Sequence, residues 1–341
     1  MAELFENLPF ENLYWNQMET VSQEELRESQ VKRLRRTVER VKDLPLYQSF
    51  FKENPLTDDD FQVPEDAQKL PFTTLADLRS QKTQALWTVP RHEIARIQTQ
   101  DGIQTAFTRR DLLTQADLTA RFLYADGTRS NNLVQISHPF GRPALAFALQ
   151  SGVDCIGAAS IPAGELNSPD SLAVPDAALK LEEMFDFLTS LNVDGICADA
   201  EFVFALCSQA QALGLKLPLK YAHIPATESG IQLRYPIQKN YGLKVWEHWE
   251  HSAFFGAGLA GECHLQDGLH LQEDRFLFEC LDPETLEAVP EGKPGELVVT
   301  DLFHEAQSLL RFRTGVVACL NSAPCPCGRT GRRIQIVKFL K

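Results

Sequence analysis

The chain is short of positive charge: 33 Lys and Arg stand against 46 Asp and Glu, a formal net charge of −13. That balance argues against a general nucleic-acid surface and against docking on an anionic membrane. No apolar run reaches the roughly 18 residues of a membrane span. The first residues, Met1-Ala2-Glu3-Leu4-Phe5-Glu6, lack the basic start of a secretory signal. Eight cysteines in 341 residues are too sparse for a disulfide framework, so reduced thiols in a cytoplasmic protein are the expectation. Internal repeats and low-complexity segments are also missing.

What is present reads as a globular chain of enzyme size, with 44% hydrophobic and 23% charged residues. Ser22 and Glu25 form a capping box for a helix to about Lys42, with Leu26, Val31, Leu34, Val38 and Val41 as its apolar stripe. Its outer face mixes arginines with Glu24, Glu28 and Glu39, which marks a solvated, salt-bridged surface. Thr73 or Thr74 caps a short helix through Leu78, and Thr108-Arg109-Arg110-Asp111 opens another to about Tyr124.

From residue 132 the texture alternates. Strands are expected at Asn132–Ser137, Val153–Ile161, Asp194–Ala198 and Leu219–Ile224, with helices at Ala144–Ser151, Asp176–Leu191 and Glu201–Leu213 between them. Such alternation predicts helices on both faces of a largely parallel sheet. Past Leu243, Arg275–Leu281 and Gly295–Thr300 read as antiparallel strands, with Asp282-Pro283-Glu284-Thr285 as a turn.

The densest chemistry lies between Gly261 and Arg333. Cys325 and Cys327 are one residue apart in a Pro- and Gly-rich turn, aiming two sulfurs one way. Cys263, with His264 or His270, offers a second pair upstream, and four such donors suit tetrahedral zinc. Ordinary cytosolic cysteines beside a surface histidine are the competing reading.

The order of motifs resembles the phenylacetate–CoA ligase branch of the adenylate-forming superfamily, from about Trp15 to Val337. The carrying residues begin with Glu19-Thr20, Arg33–Arg40, Leu70-Pro71-Phe72-Thr73-Thr74, Asp77-Leu78-Arg79 and Thr108–Leu112. They continue with Gln266-Asp267-Gly268-Leu269-His270, Glu273-Asp274, Asp282–Thr285, Gly295–Val298, Arg311-Phe312-Arg313-Thr314 and Cys325–Thr330.

The resemblance implies an α/β large domain of 1–341. Two doubly wound α/β subdomains, about 1–125 and 126–245, would precede a β-rich distorted barrel at 246–341. It implies ATP-dependent activation of an aryl or acyl acid, then thioester formation with coenzyme A. It also assigns the zinc ligands as Cys263, His270, Cys325 and Cys327, a closed structural shell, with His264 the rival for the histidine place. The loop His138–Pro143 falls where relatives line an acyl or aryl pocket. His138, Phe140 and Gly141, with Trp249 and His251, are therefore the candidate ligand cleft, and a packed core is the competing reading.

The nucleotide motifs depart from the family pattern. Where relatives carry S-S-G-T-T-G-x-P-T, this chain has the shorter Gln98-Thr99-Gln100-Asp101-Gly102-Ile103-Gln104-Thr105. Ala253 stands where a carboxylate helps hold Mg²⁺, Gly315-Val316 where an aspartate grips the ribose, and Pro225-Ala226-Thr227-Glu228 in the adenine segment. The chain stops at Lys341, where the resemblance places a lid domain with a catalytic lysine, so a large domain without its lid is expected. Losing one preorganised charge contact costs about a hundredfold or more in rate. A free-standing ligase using ATP and Mg²⁺ is therefore not expected.

Three readings follow. The first is a non-ligating relative whose zinc-stapled scaffold binds an acyl or aryl molecule, a protein partner or a second copy of itself. The second is an acyl-transfer enzyme using acyl-CoA, acyl-adenylate or a carrier thioester. The third is a residual ligase completed by another chain. His248 and His251 beside Glu247 and Glu250 suggest a second metal or acid–base pair, against a plain reading as polar replacements.

Overall fold

The computed structural model describes residues 13–141, 144–164, 177–254 and 256–340. The acidic N-terminus, Arg142, Pro143 and most of the connection up to Pro175 lie outside them.

The first part of the chain is helical. A 19-residue helix α1 (Gln23–Val41) and short helices α2 (Gln48–Glu53) and α3 (Leu75–Ser80) precede a hairpin of β1 (Arg96–Gln100) and β2 (Ile103–Phe107). The Ser22 side chain caps α1 and Thr74 caps α3, each with its reciprocal acidic partner. Helix α4 (Arg109–Ala125) follows, then an alternating run: β3 (Leu133–Ile136), α5 (Leu145–Ile156), β4 (Ala159–Pro162), α6 (Ala177–Leu191) and β5 (Gly195–Cys197). The run continues through α7 (Ala200–Ala212), β6 (Tyr221–Pro225), α8 (Glu228–Tyr241) and β7 (Lys244–His251). The rest is strand: β8 (Gly256–Gly261), β9 (Leu269–Leu271), β10 (Phe276–Leu281), β11 (Pro294–Asp301), β12 (Phe312–Asn321) and β13 (Arg333–Phe339).

These elements gather into two compact units. One contains residues 115–250 and 255–269. Its strands follow the order β4-β3-β5-β6-β7-β8, parallel except for β8, which runs antiparallel to β7. Helices α5 and α7 bury Ala146, Leu149, Val153, Phe202, Val203 and Leu206, the cover a parallel sheet needs on its faces.

The other unit joins residues 16–114 to 251–254 and 270–341. It contains the β1–β2 hairpin and an antiparallel meander in the order β10-β11-β12-β13. Leu34, Val38 and Val41 of α1 pack with Tyr47, Phe61 and Leu70, and with Leu277, Leu302 and Leu310. Inside this core the Tyr47 hydroxyl meets Thr73 Oγ1 at 2.8 Å and accepts from Leu310 N at 3.1 Å.

One stretch departs from its expected structure. Val153–Ile156 belongs to α5 rather than to a strand, and β4 begins only at Ala159. Its β-branched residues fit the helical spacing of Leu145, Leu149, Val153 and Ile156, all buried. Gly157, at φ +81°, then ends the helix in the left-handed conformation that glycine adopts without a steric penalty.

Candidate functional site

Two turns present the sulfur donors. In the first, Gln266 N donates to Cys263 O at 2.9 Å, and Gln266 and Gly268 both take positive φ. In the second, Gly328 N donates to Cys325 O at 2.9 Å, with Gly328 at φ +86°. One ligand atom from each of Cys263, His270, Cys325 and Cys327 lies within 4.8 Å of the others, and all four residues are buried. His264 is not in this group.

The imidazole is already oriented. His270 Nδ1 lies 3.2 Å from Gly331 O, while Nε2 faces Cys327 Sγ at 3.4 Å. A ring that donates through Nδ1 keeps the Nε2 lone pair for a metal. Burial alone would lower the His270 pKa, but hydrogen bonds to Cys325 and Cys327 outweigh it and raise it. Arg329 lies beside Cys327 and donates to Glu19 Oε2 at 2.7 Å. Three thiols and one imidazole in a closed, buried group fit a tetrahedral soft-metal site.

Residues 96–107 form a tight hairpin. Five residue pairs run from Arg96↔Phe107 to Gln100↔Ile103, leaving two residues to turn the chain. Asp101 at φ +52° and Gly102 at φ +78° make that turn, as a type I′ geometry requires. Arg79 donates twice to Asp101 O, at 3.2 and 2.6 Å. Ala253 is buried and donates its N–H to His251 Nδ1 at 3.1 Å. Val316 is buried in β12, opposite Phe339.

The candidate cleft residues are not all of one kind. His138, Phe140 and Gly141 share the loop after β3, and Trp249 is buried on β7. His251 packs edge-on against Phe312 at 5.1 Å, and burial lowers its pKa to about 4. That places His251 in an aromatic cluster with Phe254 and Phe276.

His248 and Glu247 do not form an acid–base pair. The Glu247 carboxylate is 3.1 Å from Arg234 Nη1, which also reaches Glu262 at 2.8 Å. His248 is fully buried, stacked on Phe122 at 5.0 Å, and burial with His138 and His223 nearby holds its pKa well down. His223 Nδ1 sits 3.1 Å from Asp126, and burial lowers its pKa to about 3. Sequence reading missed one residue here, Asp199. Its Oδ1 lies 3.8 Å from His138 Nδ1. An aspartate directly before a helix reads as a cap, yet this side chain makes no cap hydrogen bond.

No family model matches the chain. Among curated proteins it is 30% identical over 332 residues to the phenylacetate–coenzyme A ligase of Thermus thermophilus, covering 94% of this chain and 72% of that protein. The Pseudomonas putida enzyme of the same name is 29% identical over 307 residues, 87% of this chain and 67% of its own. Among solved structures, an open conformation of 2-hydroxyisobutyryl-CoA ligase gives a TM-score of 0.85 at 21% identity, over 97% of this chain and 79% of that one. The fold is that of the adenylate-forming CoA ligases.

Proposed function

The chain belongs to the phenylacetate–coenzyme A ligase family, and from that membership we propose that it no longer adenylates its ligand. In this reading it is a scaffold that binds an acyl or aryl acid, or the corresponding thioester, with a structural zinc on Cys263, His270, Cys325 and Cys327. The observation carrying the loss is the β1–β2 hairpin. A phosphate cradle needs successive backbone N–H groups turned toward one point. Here the ladder pairs the backbone up to a two-residue turn, and the only acid in that turn, Asp101, repels a polyphosphate.

Two further positions support it. Ala253 has no carboxylate to give a magnesium ion, and Val316 has none to give a ribose. The zinc reading rests on the converging donors and on the His270 Nδ1 contact to Gly331 O. A closed four-donor shell leaves no open coordination position, so its role is to hold the chain and not to activate water.

Calorimetric titration with ATP·Mg²⁺, and ATP–pyrophosphate exchange with a panel of aryl and fatty acids, test the loss. No heat and no exchange are expected, together with measurable binding of phenylacetyl-CoA or a fatty acyl-CoA. Robust exchange with any acid overturns the reading.

A further inference from the structure

In the parallel sheet the strand order reverses at β3. The chain leaves β3 for β4 on one side and then returns to β5 on the other. Open α/β sheets bind ligands beyond the carboxyl ends of their strands at such a reversal. His138 follows the carboxyl end of β3, and Asp199 follows that of β5. The two side chains flanking the crevice are thus an imidazole and a carboxylate.

Among the described residues, Asp199 makes no cap hydrogen bond and His138 Nε2 has no partner. Asp199 holds the cap position of α7, and its carboxylate lies 3.8 Å from His138 Nδ1. The His138 side chain is only 4% exposed. A buried polar atom left unpaired costs about 1–3 kcal/mol, so its partner is to be sought in a ligand. Asp199 is 50% exposed, and a side chain at Gly141 in the same loop as His138 would meet nothing within 4 Å. Phe140 and Phe147, edge-to-face at 5.3 Å, give the same loop an apolar wall.

We propose that His138, oriented by Asp199, is the catalytic base of an acyl transfer from an acyl or aryl thioester to a hydroxyl, amine or water nucleophile. Nε2 takes the nucleophile's proton as its heteroatom bonds to the carbonyl carbon. The C–S bond then breaks, and the same proton passes to the departing thiolate. Atoms and charge balance with no further reagent. A thioester is activated enough that such a step needs neither ATP nor a metal. The inference rests on the acyl-binding reading above and adds a reaction to it.

The titratable groups facing His138 are Asp199 from beyond β5 and His248 from β7, with His223 and Asp126 behind His248. Burial lowers the His138 pKa and Asp199 raises it in part, so the ring is the neutral base near pH 7. Asp199 is a positioning residue.

The test is thiol release by the full chain from phenylacetyl-CoA and octanoyl-CoA, each with and without hydroxylamine as acceptor. Release above the buffer rate is expected, with a loss of about a hundredfold or more in kcat for His138→Gln. Asp199→Asn is expected to lower kcat with little change in KM. It also moves the rising limb of the pH profile to lower pH, because the carboxylate no longer supports the charged ring.

No release from either thioester with either acceptor, or a fully active His138→Gln, overturns the proposal. If His138→Gln fails to fold by thermal melting, Asp199→Asn decides. An unchanged kcat and an unchanged limb overturn the dyad. Thioester binding without turnover removes the base and leaves the scaffold reading standing. Pyrophosphate exchange alongside His138-dependent release does the reverse.

Discussion

Replacing Cys327 by serine removes one of the four proposed metal donors and the sulfur that faces both His270 Nε2 and Arg329. The hydroxyl of serine is a poor zinc ligand, so the variant is expected to lose the ion rather than hold it with three donors. The size of the effect follows from linkage. A ligand at a hundred times its dissociation constant stabilises the folded state by about 2.7 kcal/mol. At about 2–4 °C per kcal/mol for chains of this order, the melting temperature falls by roughly 5–10 °C.

Metal content by mass spectrometry and calorimetric melting with and without chelator measure both quantities. The parent chain is expected to carry one zinc and to melt lower after chelation. Cys327→Ser is expected to carry almost none and to be indifferent to the chelator. His264→Ala keeps the metal and its response to chelator, because its ring lies outside the donor group. A parent chain whose melting ignores the chelator, or a Cys327→Ser variant that keeps one ion per chain, refutes the reasoning.

Other perturbations follow from contacts already described or close to them. Arg311 makes a two-point contact with Glu279 at 2.9 and 2.8 Å, donates to Gln68 O and Leu70 O, and stacks on Phe72 at 3.9 Å. Arg311→Met leaves that acid uncompensated and is expected to cost about 3–5 kcal/mol in urea unfolding. Gly102→Ala forces a side chain to φ +78°, an expected loss of about 1–2 kcal/mol in urea unfolding. Buried His304 lies 3.5 Å from both Asp111 and Asp301. Burial opposes its charge, but the two acids outweigh it and raise the pKa above the ordinary 6.5. Its stabilising contribution is therefore complete below pH 6.5 and is lost as pH rises through the folded value. Denaturation midpoints measured from pH 6 to pH 9 should fall more steeply for the parent chain than for His304→Gln.

Local signals in the sequence carried far where the chemistry was local. The reciprocal caps of Ser22 with Glu25 and Thr74 with Asp77 are complete within four residues, and both are formed. At Val153–Ile156 the β-branched composition suggested a strand, whereas the spacing of buried positions matched α5. Packing decided it: Gly152 sits against Thr119 of α4, where a larger residue would clash. Spacing alone left His264 and His270 open beside Cys263, Cys325 and Cys327; the resemblance chose His270, and His270 is the histidine grouped with the three thiols. Asp199 was not legible, because an aspartate before a helix has an ordinary explanation. Only the parallel pairing of β3 with β5, across 61 residues of sequence between Leu133 and Asp194, brings it to His138.

The second unit draws its core from both ends of the chain, and synthesis must wait for it. Between residue 114 and residue 270 the ribosome adds 155 residues that belong almost wholly to the other unit. At about 5–20 residues per second that interval lasts roughly 8–30 s. Throughout it, Leu34, Val38 and Val41 of α1 stand without Leu277, Leu302 and Leu310. Glu19 stands without Arg329, its partner 310 residues later. The nascent chain therefore carries for many seconds an apolar helix face covered only in part, by Tyr47, Phe61 and Leu70. Substitutions on that face should reduce the yield of folded protein in cells more than they reduce the stability of molecules already folded.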